Sequence, residues 1–316
     1  MSGFVSIMNA GPMMTVQDQG RYGHLGQGIS ISGAMDRQSL AIANALVGNT
    51  QDAAAIEFAM VGGTFRVDRD CRIAITGGAC DIRVGERRLD GWQAHLLAAG
   101  EVLTIGYMRN AVWGYLAFSG GIDVAPFLGS RATHLRTGVG GHEGRALQAG
   151  DDIGLGKDED DALLEITLPF RRPERPIRVM LGPQDDYFSK AAIAGFLGSA
   201  QRISASRDRM AMLLDGSPVV AAKGYDIVSD VAMMGSIQIP SSGRPMVLCA
   251  DSQTTGGYPK IATVISADLS RLMQMPSGAS VRFQAIPIEK AEELYVKTRR
   301  ALAAIIDSLR PVETKA

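Results

Sequence analysis

The densest group of chemically capable side chains lies in DSQTTGGYPK, where Asp251, Gln253, Thr254, Thr255, Tyr258 and Lys260 surround Gly256 and Gly257. Apolar runs from Met246 to Ala250 and from Ile261 to Ser266 flank it, and both read as strands. A hairpin connection needs only a few turn residues, so this one carries more side-chain chemistry than its geometry demands. Gly256 and Gly257 can take positive φ and turn their N–H groups towards an anion. Lys260 can neutralise a carboxylate or a developing oxyanion, with the Tyr258 hydroxyl as a donor beside it. Read without chemistry, Lys260 is a surface lysine and Asp251 caps the turn.

Two further segments gather polar groups among glycines. TVQDQGRYGHLGQGISISGAMDR, from Thr15 to Arg37, puts Gln17, Asp18, Arg21, Tyr22 and His24 on an irregular approach to a helix carrying Asn44. Glycine lets backbone N–H groups approach a ligand, and Arg21 and Arg37 can clamp a carboxylate or phosphate in a fork. Projection at about 100° per residue makes Arg37 and Asn44 neighbours on that helix. Asp36, in its first turn, serves equally as a cap or as a site carboxylate. GGIDVAPFLGSRATHLRTGVGGHEGRAL spaces Arg131, Arg136, His142 and Arg145 through turns, which suits an anionic substrate or a partner. Loops held by ion pairs account for both segments without function.

A mainly β framework with a few helices must position these groups. Strand-like runs extend from Arg72 to Thr76, Cys80 to Val84, Val102 to Ile105, Tyr115 to Phe118 and Ile177 to Leu181. More follow from Ile227 to Val231, Ser236 to Ile239 and Ser280 to Ala285. Helices are expected from Met35 to Val47, closed by Gly48, from about Ser189 to Leu197, and from Pro287 to about Leu309. PFRRPERPIR, with three prolines among four arginines, reads as a solvated linker dividing residues 1–172 from 173–316.

Composition narrows the function classes. Lys and Arg total 32 against 33 Asp and Glu, a formal charge of -1, which leaves no basic excess for nucleic acid. Three cysteines without CxxC spacing argue against a disulfide framework and a structural zinc site. His24, His95, His134 and His142 include no HxxxH pair, so no metal is expected. No apolar run is long enough to span a bilayer, and the first residues lack the pattern of a secretory leader, so a cytoplasmic location is expected. GxxxxGK[ST] is absent, Glu143 interrupts a GxGxxG pattern, and GISIS around Ser30 is not GxSxG.

The polar segments resemble the signatures of the KipA family, also called allophanate hydrolase subunit 2. The matching stretches are TVQDQGRYGHLGQGISISGAMDR with ANALVGN, GGIDVAPFLGSRAT with GRALQAGD, RMAMLLDG, and IQIPSSGRPMVLCADSQTTGGYPKIATVISADL. This resemblance implies a cyclophilin-like β-barrel architecture in two parts. It also implies one of three roles: ATP-dependent opening of 5-oxoproline to glutamate with KipI-like and LamB/YcsF-like subunits, biotin-dependent carboxyl transfer to urea, or antagonism of a KipI-like kinase inhibitor. The free-standing format favours the subunit of a 5-oxoprolinase. AAKGYD around Lys223 and VAMMGS after Asp230 do not form a biotin-accepting sequence, so biotin is expected only from a partner. ATP is likewise expected at a nonclassical site or on another chain. On the hydrolase reading, Arg21, Arg131 or Lys260 holds a carboxylate or phosphoryl group. Asp36 or Asp251 moves protons, and Gln253 and Tyr258 orient the lactam.

Overall fold

The computed structural model describes residues 3–158, 162–168 and 170–312, so Pro169 of the expected linker lies outside the described residues. The chain divides into two compact units. The first comprises Met1–Arg21, Ser32–Arg171 and Ala301–Ala316, and the second Tyr22–Ile31 and Arg172–Arg300.

In the first unit two antiparallel sheets share one core. Across the first sheet the order is Asp152–Leu155 (β11), Gly3–Asn9 (β1), Thr64–Val67 (β4), Val102–Ile105 (β9), Ile82–Val84 (β6) and Arg87–Leu89 (β7). Across the second it is Thr15–Gln17 (β2), Ala55–Ala59 (β3), Trp113–Phe118 (β10), Cys71–Thr76 (β5) and Ala94–Leu97 (β8). Alternate residues supply the core: Val5 and Ile7, Phe65 and Val67, and Leu103 and Ile105 from one sheet meet Ile56 and Phe58, Ile73 and Ile75, and Leu116 and Phe118 from the other. Leu164–Glu165 (β12) pairs with Arg310–Pro311 (β23).

The outer face of β5 and β10 is covered by the helix Arg37–Leu46 (α1), so these strands are buried along their whole length. Asp36 caps it: one carboxylate oxygen accepts the Ser39 N–H at 3.2 Å and the other the Ser39 hydroxyl at 2.6 Å. The Asp36 N–H donates to the Tyr115 hydroxyl, which donates to buried Glu57, both at 2.7 Å. With both oxygens of the cap engaged, Asp36→Ala is expected to lower stability by about 1–2 kcal/mol in denaturant unfolding. An unchanged midpoint would remove this role.

The second unit holds one eight-stranded sheet. Its strands are Ile177–Leu181 (β13), Gln201–Arg207 (β14), Ala211–Asp215 (β15), Ser236–Gln238 (β17), Met246–Leu248 (β18), Lys260–Val264 (β20), Ser280–Val281 (β21) and Phe283–Ala285 (β22). They are ordered β21-β14-β15-β18-β17-β20-β13-β22. The two edge strands, β21 and β22, are consecutive in the chain with only Arg282 between them. One nearly continuous segment therefore bonds to both margins, and the sheet becomes a nearly closed barrel, which removes exposed edges. Asp230–Val231 (β16) and Thr255–Gly256 (β19) pair separately as a short ribbon.

Three further α-helices lie among the described residues. Lys190–Gly198 (α2) is capped by the Ser189 hydroxyl, and Ile288–Asp307 (α4) falls where the sequence suggests a long helix. Ser266–Met273 (α3) has no counterpart in the sequence reading, and its Asp268 changes the account of the arginine stretch. Arg178 is buried, and its backbone N–H and guanidinium bind the Asp268 carboxylate at 2.7–2.9 Å rather than lying in solvent. Burial pushes the Asp268 carboxyl up, but the hydrogen bonds from Arg178 outweigh it and hold the group below its usual range.

Candidate functional site

The segment after β18 is not a hairpin. β17 and β18 form the hairpin, and β15 already occupies the other side of β18, so β20 joins the sheet on the far side of β17. Residues 249–259 must cross over β17, and this arch is pinned along its length. The Cys249 N–H donates to the Met210 carbonyl at 2.9 Å and the Asp251 N–H to the Arg209 carbonyl at 2.7 Å. Farther on, the Thr254 and Gly257 carbonyls accept from Ala232 and Ile227 at 2.9 and 2.8 Å. Gly256 lies extended in β19, and neither it nor Gly257 has positive φ, so the expected anion-binding nest does not form.

Lys260, the first residue of β20, is 2% exposed rather than a surface lysine. Its Nζ lies 2.9 Å from an oxygen of Asp230 on β16, an ion-pair contact, and among the described residues it meets no acceptor with hydrogen-bond geometry. Gln184 braces the pair, donating from Nε2 to the same Asp230 oxygen at 3.0 Å and accepting the Lys260 backbone N–H at 3.2 Å. The Lys260 amine and the Gln184 amide hold the Asp230 carboxyl down at about 2. The pair therefore contributes fully above the unfolded carboxyl value of about 3.9, and is lost as pH falls through about 2. Carbon-detected NMR should place the Asp230 midpoint near 2, and a midpoint near 4 would show that the pair does not form in solution.

Lys260 and Asp230 sit in an open groove of about 960 Å³. Leu181, Val231, Met233 and Ile288 form exposed apolar walls, and Ser236 and Thr263 add hydroxyls. The arrangement combines a cation fixed by a permanently charged partner with apolar walls, which suits a small organic acid or an oxyanion formed from it.

Of the residues nominated from sequence, only Lys260 lines this groove. Gln253 and Tyr258 are exposed on the arch, and Thr254 is buried there. Asp251 forms a buried bidentate pair with Arg209, both contacts at 2.9 Å, so its carboxylate is held by that guanidinium. In the second unit His24 pairs with Gln27 at 3.2 Å. The other candidates belong to the first unit. Arg21 is buried, donates to the Ala132 carbonyl and lies over the Phe127 ring. Asn44 is not joined to Arg37: its amide donates to the Ala53 carbonyl at 2.7 Å, while Arg37 donates to the Ser32 carbonyl at 3.2 Å. Arg131 donates to the Val124 carbonyl at 2.8 Å, and its backbone N–H to Asp18 at 2.5 Å. Arg145 grips Asp151 with two bonds at 2.7 and 2.8 Å, which hold that carboxyl below its usual range. Sequence reasoning missed Asp230, Gln184 and Gln238, the last a fully buried residue opposite Lys260 across the strand pair.

The fold and groove define a mainly β protein in two parts, one of them a nearly closed barrel with a buried lysine on its wall. The chain belongs to the carboxyltransferase domain family, subdomain A and B, whose model matches residues 27–285. It is similar to the 5-oxoprolinase C subunit of Escherichia coli, with 37% identity over 91% of this chain and 93% of that protein. The 5-oxoprolinase C subunit of Haemophilus influenzae is 31% identical over 98% of both chains. The solved structure of the K. lactis urea amidolyase superposes with a TM-score of 0.87 at 23% identity, over 98% of this chain and 21% of that one. The present chain thus spans about a fifth of that protein, which it resembles in fold.

Proposed function

We propose that this chain is the C subunit of an ATP-dependent 5-oxoprolinase, hydrolysing 5-oxo-L-proline to L-glutamate together with KipI-like and LamB/YcsF-like subunits in the cytoplasm. The observation that carries the reading is its near full-length similarity to two proteins named as 5-oxoprolinase C subunits.

The lactam resists hydrolysis through amide resonance, and phosphorylation removes that resistance. Its carbonyl oxygen attacks the γ-phosphorus of ATP and ADP leaves. Water then adds to the ring carbon, and the C–N bond breaks as nitrogen takes a proton. A second water converts the resulting acyl phosphate to carboxylate and phosphate. Lys260 stabilises the anionic charge on the phosphoryl oxygens as they pass to the lactam oxygen and in the acyl phosphate, in a groove where a fixed cation acts more strongly than in water. Asp230, too acidic to accept a proton near neutral pH, holds the Lys260 amine in place. Asp36 and Asp251 take no part in these steps, because their oxygens serve the helix cap and Arg209.

Neither AAKGYD around Lys223, whose amine pairs with Asp186, nor VAMMGS after Asp230 reads as a biotin-accepting sequence, so biotin is taken to come only from a partner. Carboxyl transfer, with biotin carried by a partner, is the second reading, supported by the family match. The test is consumption of ATP and 5-oxoproline by the chain alone and with both partners. Glutamate formed only by the full assembly supports the proposal. No glutamate in any combination, with avidin-sensitive carboxylation instead, overturns it in favour of carboxyl transfer.

A further inference from the structure

Gln238 has no part in the steps of lactam opening, yet its burial is unusual. It is 0% exposed, and among the described residues neither its amide oxygen nor its amide nitrogen has a hydrogen-bond partner. Buried carboxamides are almost always paired, because an unmade bond forfeits the hydration the group had in the unfolded chain. A methionine of similar length would fill the space without that penalty. The placement of Gln238 indicates what its polar atoms serve. In β17, period two sets Gln238 on the same strand face as Ser236, which lines the groove, and Ile237 on the opposite face. Its register partner on β20 is Lys260, at a bulge.

The ribbon of β16 and β19 lies over Gln238. A Cβ added to Gly256 would come within 2.4 Å of the Gln238 Nε2, so glycine permits this close approach. The other strand of the ribbon carries Asp230, which ties it to Lys260. Two strands of two residues each are a marginal structure by themselves, and such a cover can yield to a ligand entering from the groove.

We propose that Gln238 is the specificity-determining residue for the amide edge of the substrate. The proposal rests on the 5-oxoprolinase reading and names the chemistry recognised there. A five-membered lactam holds C=O and N–H on one side of a planar cis amide. The carboxamide of Gln238 is the complement of that edge, with Nε2–H donating to the lactam oxygen while Oε1 accepts the lactam N–H. An open-chain trans amide offers the two groups on opposite sides and matches only one. The same two bonds keep the lactam plane fixed while Lys260 meets the charge of the phosphoryl group that its oxygen receives.

The test compares wild type, Gln238→Met and Gln238→Asn in the complete assembly. Competitive inhibition constants are measured for a non-hydrolysed lactam acid and for its γ-lactone analogue, in which ring oxygen replaces N–H. Methionine is expected to weaken lactam binding about 10-fold or more and to affect the lactone less, narrowing the discrimination. It is also expected to raise Tm by about 2 °C or more, since a buried unpaired group is lost. Asparagine, which keeps the chemistry on a shorter arm, should retain part of the discrimination. Equal weakening of both inhibitors, or no change in either, would overturn the role of Gln238. Weakening confined to 2-imidazolidinone, a cyclic ureido probe, would overturn its assignment to a lactam. Absence of glutamate from the wild-type assembly would instead remove the functional reading beneath both.

Discussion

Lys260→Met should lower kcat of the assembled enzyme about 100- to 1000-fold while leaving assembly intact, as expected for loss of one preorganised charge at a developing oxyanion. The side chain is buried with one ion-pair partner, Asp230, so methionine removes the cation and preserves most of its packing. Asp230 is left behind, but its side chain is 41% exposed and remains solvated, so the loss of stability should be small. The division between kinetic parameters is informative. A lysine acting only in the transition state leaves KM near its wild-type value, whereas one that holds the substrate carboxylate in the ground state raises KM. Arginine at this position should not restore turnover, because its planar fork cannot occupy the place of a point charge braced by Asp230 and Gln184. Unchanged turnover in Lys260→Met would remove this residue from the mechanism.

Strands such as β5, β9, β10 and β13 were legible because alternation and β-branched runs are local signals, whereas β1, β3, β4, β14 and β15 went unread, and α1 was legible from its apolar arc and the glycine that closes it. Lys260 was legible as a candidate, but its burial was not. That burial follows from β20 joining the sheet on the far side of β17, a choice made by strand order rather than by the residues near Lys260. The same crossover turned an expected hairpin into an arch and brought Gly256 into a strand instead of a nest. Asp230 and Gln184 lie 30 and 76 residues before Lys260, and no motif spans such distances. Gln238 could not be picked out either, since a glutamine in a strand becomes unusual only when both of its amide atoms are seen to be buried without partners. In the first unit, Asp36 and Asn44 were recognised on the first helix and Arg131 and Arg145 in glycine-rich loops, yet their hydrogen bonds are structural, to the helix cap, to backbone carbonyls and to Asp151.

Asp251 separates a structural carboxylate from a catalytic one. It and Arg209 are 3% and 2% exposed and meet through two contacts of 2.9 Å, joining the turn before β15 to the start of the arch. Removing one partner from such a pair leaves the other charge buried, so Asp251→Leu should destabilise by about 3–5 kcal/mol. Stabilities of folded domains are only about 5–15 kcal/mol, and a loss of this size should lower Tm by about 6–20 °C. The double variant Arg209→Met with Asp251→Leu should recover most of that loss, because two apolar side chains avoid the desolvation that the ions require. A proton-transferring Asp251 predicts a different pattern, in which Asp251→Asn folds with nearly normal stability and loses turnover. The buried pair predicts that Asp251→Asn is destabilised and, measured where it is still folded, retains turnover. Thermal unfolding and glutamate formation on the same three variants distinguish the two, and a stable, inactive Asp251→Asn would return Asp251 to the reaction.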